Sequence, residues 1–110
     1  MKLFDIYLQL DSLEITDRRY LMADYLELVF LRDDFEKWDK LLSALLGPVA
    51  SPFDADPSRD HLELTRPFGG VRKGQALYQK DFGDYVIIAM LWPWQNETHI
   101  TLKMPLIKKG

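Results

Sequence analysis

The chain has 110 residues, 47% of them apolar and 28% charged, with a net charge of −3 and no cysteine. That size predicts a single domain over 1–110 with a real core, and the composition excludes disorder and fibrous repeats. A cysteine-free chain has no disulfide scaffold, thiolate metal site or cysteine nucleophile, and a cytoplasmic location is the expectation.

The charge is uneven along the chain. Residues 1–60 carry 13 acidic against 7 basic side chains, and residues 61–110 carry 4 against 7. Such a gradient is too mild for a nucleic-acid footprint, which calls for a strongly basic domain. The opening MKLFDIYLQL breaks its apolar residues with Asp5 and Gln9, unlike a signal peptide. The longest apolar run, Tyr85 to Trp94, is about half of the roughly 20 residues a membrane helix needs.

In KLFDIYLQL the residues Phe4, Ile6, Leu8 and Leu10 alternate with Asp5, Tyr7 and Gln9, which predicts a half-buried strand. Residues 25–31 read as a second strand, rich in aromatic and branched residues and apolar on both parities except at Glu27. A helix begun at Thr16 or Asp17 is the competing reading of 17–31, since Asp17, Asp24 and Glu27 would form its polar stripe. Residues 34–46 have the clearest pattern. Phe35, Trp38, Leu41, Leu42 and Leu45 share a helical face, Asp33 or Asp34 is placed to cap it, and Gly47-Pro48 stops it.

Three prolines between Gly47 and Asp60 predict a surface loop. The rest reads as strands: HLELTR, QALYQKDF, YVIIAMLW and THITLKMPLI, with turns at Gly69-Gly70, Gly83-Asp84 and Gln95-Asn96. The expected fold is α+β: a mainly antiparallel sheet of five or six strands, flat or curled, packed on one amphipathic helix (34–46).

Tyr85 to Trp94 poses a physical problem for that fold. Alternation sends Val86, Ile88, Met90, Trp92 and Trp94 to one side and Tyr85, Ile87, Ala89, Leu91 and Pro93 to the other, so both sides are apolar. Such a strand belongs in a sheet covered twice. Five or six strands span on the order of 25 Å, whereas one helix is about 10–12 Å across. The missing cover must come from curling, from a second helix over 17–31, or from another copy of the chain. Pro93 cannot donate to a ladder, so the strand must end, bulge or meet an edge there, leaving Trp94 at a rim.

Specific chemistry is sparse. His61 with Glu63 and Glu97 with His99 have the spacing of paired ligands, but nothing brings the pairs together, and solvated polar positions on a strand explain them. FGGVRKG has the composition of a phosphate loop without the helix that must follow, so Arg72 and Lys73 read as solvated turn residues. Tyr78 and Phe82 beside Lys80 suit base stacking, with Arg66, Arg72 and Lys73 on phosphates; the acidic whole argues against nucleic acid. No Gly-x-Ser-x-Gly elbow or other catalytic arrangement is present, and no cofactor is implied.

These features point to a small cytoplasmic, non-catalytic binding or interaction module that self-associates, or takes a protein partner, through apolar sheet surface near Trp92 and Trp94. The alternative is a small-molecule-binding domain with an apolar pocket between curled sheet and helix, lined by Trp38, Met90 and Trp92.

Overall fold

The structure, a computed structural model, describes residues 2–110. In chain order it contains α1 (Leu3–Leu10), β1 (Asp17–Leu21), β2 (Tyr25–Leu31), α2 (Phe35–Leu46), α3 (Arg59–Thr65), β3 (Ala76–Asp81), β4 (Tyr85–Pro93) and β5 (His99–Lys108). Single-turn 3₁₀ helices at Arg32–Asp34 and Arg66–Phe68 lead into α2 and out of α3. The five strands form one antiparallel sheet in the order β1-β2-β5-β4-β3. The fold is α+β, and the sheet is open, with β1 and β3 at its edges.

The expected strand at residues 4–10 is instead helix α1. Leu3, Ile6 and Leu10, at helical spacing, are buried, whereas Phe4 and Leu8 point outward. Asp5 starts the helix by accepting the Lys2 backbone N–H at 2.8 Å. The strand expected in HLELTR is likewise a helix, α3, begun where Ser58 accepts the His61 amide at 3.1 Å. Residues 17–31 are the β1–β2 hairpin and not a helix.

Helix α2 lies where expected and buries Trp38, Leu42 and Leu46. Neither Asp33 nor Asp34 caps it with a side-chain hydrogen bond; the 3₁₀ turn supplies the entry, and Asp34 pairs with Lys37 at 3.7 Å. Gly47, with φ +89°, ends it by donating to the Ser43 carbonyl. The following loop touches the β3 edge, where Ser51 and Leu77 exchange backbone bonds of 2.9 and 3.1 Å.

The cover problem at β4 is solved by helices on both sides of the sheet. On the first face, Ile87, Ala89 and Leu91 pack with Leu28, Phe30, Leu102 and Met104 beneath α1 and α2. On the second face, Ile88 and Met90 pack with Leu77 and Val71, joined by Leu64 of α3 and Phe68. Ile87 and Ile88 are both fully buried, on opposite sides. Pro93 pairs with Ile100 of β5. Trp94 donates to the His99 carbonyl at 2.9 Å, so the alternation of the ladder turns the Pro93 nitrogen away from β5. On that side β3 reaches no further than Leu91, so the missing N–H meets an edge.

Candidate functional site

Strand register arranges the second face in rows. Tyr20, Glu27, Lys103, Met90 and Leu77 stand opposite one another across all five strands, and Asp17, Val29, Thr101 and Trp92 form the next row. The roof made by α3, its 3₁₀ turn and Val71 reaches only the β3–β4 half. Over β1, β2 and β5, long side chains lie down in its place. The Trp94 Nε1–H donates to Thr101 Oγ1 at 2.9 Å, and its ring stands 4.6 Å from that of His99. The Arg19 guanidinium lies 5.7 Å from the Trp94 ring centroid and 3.6 Å from Glu27, which accepts the Tyr25 hydroxyl at 2.7 Å. Lys103 Nζ sits 3.6 Å over the Trp92 ring. Burial, with Glu27 second, pushes the Tyr25 hydroxyl well above its ordinary pKa, so it remains a donor at neutral pH.

Arg19 occupies the irregularity in β1, between the paired residues Arg18 and Tyr20. Regular pairing with Leu28 puts Arg18 on the first face, where its Nε donates to Tyr7 at 2.9 Å and its second nitrogen to Asp11 at 2.7 Å, and the bulge after it sends Tyr20 to the second. Those bonds pin α1 along β1. Phe4 and Leu8, three residues before Tyr7 and Asp11, continue the same flank of the helix outward. Phe4 is 62% exposed, Leu8 54%, Leu21 50% and Met22 56%, and Tyr20 joins them from the second face. Five of the seven large apolar side chains that are exposed among the described residues thus belong to two adjoining elements, α1 and the β1–β2 hairpin, with Tyr20 on the opposite face of the sheet from the rest.

The residues singled out by sequence fall elsewhere. Trp94 is at the rim, half-buried, as expected. Trp92 is half-buried against Gly69, and Met90 is fully buried beneath the α3 roof. Trp38 is fully buried on the first face, stacked on Phe30 at 4.3 Å. Trp38 therefore lies across the sheet from Met90 and Trp92, and the three line no common pocket. Tyr78 is also buried on the first face with its hydroxyl on Asp39, which removes it as a stacking platform. Arg72 and Lys73 are exposed in the turn before β3. His61 lies on α3 and His99 on β5, and no group of three metal-binding side chains occurs among the described residues.

Sequence reasoning missed the α1–β1 edge because it placed Phe4 and Leu8 on the buried side of a strand. One signal was legible: Glu27 is the sole polar residue in 25–31, and it anchors both Arg19 and Tyr25. No helix of the described residues is long and apolar enough to cross a membrane. Comparison with known proteins finds no family model, no curated protein and no solved structure that matches this chain.

Proposed function

We propose that the protein is a small non-catalytic interaction module that associates with a second copy of itself through the α1–β1 edge. The observation that carries this is that Phe4, Leu8, Tyr20, Leu21 and Met22 are all exposed on α1 and the β1–β2 hairpin, beside an edge strand whose five residues are all exposed. Exposed apolar patches beyond a few hundred Å² mark interaction surfaces on soluble domains. The expected surface thereby moves from Trp92, which Gly69 and Lys103 already cover, to the opposite end of the same sheet; Trp94 takes part through Arg19.

A second copy suits this edge better than an unrelated partner. A twofold axis sets a strand edge antiparallel to its own image, and β1 carries both charge signs, with Asp17 beside Arg18 and Arg19. Paired about Arg18, β1 would set each Asp17 opposite the other copy's Arg19. The bulge and these charges also discourage indiscriminate strand addition. The cysteine-free composition suits a reducing compartment such as the cytoplasm.

Sedimentation velocity over a wide concentration range tests the proposal. The parent chain is expected to form a dimer that dissociates on dilution, and Leu8→Glu is expected to weaken it by on the order of tenfold or more, the scale of one well-packed interface side chain. A parent chain that remains monomeric at every concentration overturns the proposal.

A further inference from the structure

On the first face, at the end of the sheet away from β1, a cavity of about 300 Å³ lies between the start of α2, the loop that follows α2, and β3. Phe35 and Phe53, both half-buried, give it an aromatic wall, their rings meeting edge to face at 5.1 Å. Backbone bonds fix the loop that brings Phe53 there: the Ala50 N–H donates to the Leu77 carbonyl and the Gly74 N–H to the Phe53 carbonyl, each at 2.7 Å. The cavity is thus preformed, at the small end of the size range of small-molecule sites.

The charge around this cavity has one sign. Asp39 and Asp54 belong to its lining, and no Lys, Arg or His does. Two partners hold the Asp39 carboxylate in position. Its Oδ1 accepts the hydroxyl of Tyr78, a fully buried residue that also belongs to the lining, and the Ser43 hydroxyl at 3.4 Å. Among the described residues its Oδ2 accepts no hydrogen bond, and neither Asp39 nor Asp54 forms an ion pair. Asp39 follows Phe35 by four residues on α2, so that ring and that carboxylate share one flank of the helix. An aromatic ring attracts a cation over its face, and an unpaired carboxylate attracts it by charge, whereas both repel an anion.

We propose that this cavity binds a small organic ammonium ion, its alkyl groups against Phe35 and Phe53 and its charge beside Asp39, with Asp54 adding to the field from the loop. The cavity adjoins β3 and the association surface adjoins β1, the opposite edge of the sheet, so the site stands whether or not the chain dimerises. No catalytic step is attached to it.

NMR titration of the amide-labelled protein tests the proposal, with choline as the cation, 3,3-dimethylbutanol as its uncharged isostere and 3,3-dimethylbutanoate as an anion of similar shape. Choline is expected to shift the amides of Phe35, Asp39, Phe53 and Asp54 saturably, with one site per chain, and the anion to leave them unmoved. The alcohol is expected to bind about tenfold more weakly than choline, the step of roughly 1.4 kcal/mol that tenfold represents. Asp39→Asn/Asp54→Asn removes both charges while the amide oxygen at 39 still accepts the Tyr78 hydroxyl. That variant is expected to bind choline about tenfold more weakly and the alcohol as the parent does, a selective loss that a purely structural role for the two carboxylates would not produce. Absence of saturable choline shifts at those four amides overturns the proposal, as does equal affinity for the alcohol, or choline binding that survives the double substitution unchanged.

Discussion

Trp92 is held in place by a residue with no side chain. Gly69 has φ +102°, a left-handed conformation that glycine adopts without penalty, and a Cβ there would stand 2.7 Å from Trp92 Cη2. Gly69→Ala therefore meets backbone strain and a ring that Lys103 already confines from one face. A loss of about 1–3 kcal/mol is expected in urea unfolding, together with a shifted tryptophan emission as the α3 roof lifts from the indole. Tyr78 sets a different sensitivity. Burial, and then its bond to Asp39, hold its hydroxyl above the ordinary value of 10.0. The unfolded chain releases that proton first, so the stabilisation is intact below pH 10.0 and declines as pH rises beyond it. Stability measured across that range is expected to fall with a shallower slope in Tyr78→Phe, which at neutral pH loses about 1–2 kcal/mol with the hydrogen bond.

At the scale of elements, α1 separates local pattern from tertiary outcome. Its eight residues satisfy two periods at once: Phe4, Ile6, Leu8 and Leu10 at spacing two, and Leu3, Ile6 and Leu10 at helical spacing. A segment this short is decided by what needs covering, here the first face beside α2. Alanine substitution distinguishes the two arrangements. Ile6→Ala and Leu10→Ala are expected to destabilise by about 2–4 kcal/mol in urea unfolding, and Phe4→Ala and Leu8→Ala by less than about 0.5 kcal/mol. A strand would make all four costly. Helix α3 was illegible for a similar reason, since the alternation of His61, Leu62, Glu63 and Leu64 conceals the Ser58 cap before it. By contrast α2 was legible within a residue, because twelve residues of one-sided periodicity end at Gly47-Pro48.

Among the described residues one sheet carries three α-helices shared between its faces, and β4 shows why that division is needed. A strand apolar on both parities is stable in water when each side meets its own layer, and here Ile87 meets α1 and α2 while Ile88 meets the α3 segment. Ile87→Ala and Ile88→Ala are each expected to lose about 2–4 kcal/mol in the same unfolding assay. A near-neutral effect at either would mean that its side of the sheet is wet.

From residue types alone came the α+β class, the positions of β2 to β5 and α2, the constraint that β4 end, bulge or meet an edge at Pro93, and the requirement for cover on both faces of β4. Each follows from periodicity and backbone chemistry within a few residues. The tertiary structure alone decided that α1 and α3 are helices, that Trp38 is parted from Met90 and Trp92 by the sheet, and that exposed apolar surface collects beside β1. Those outcomes depend on which layer still lacked a neighbour, a property of the assembled sheet that no short segment contains.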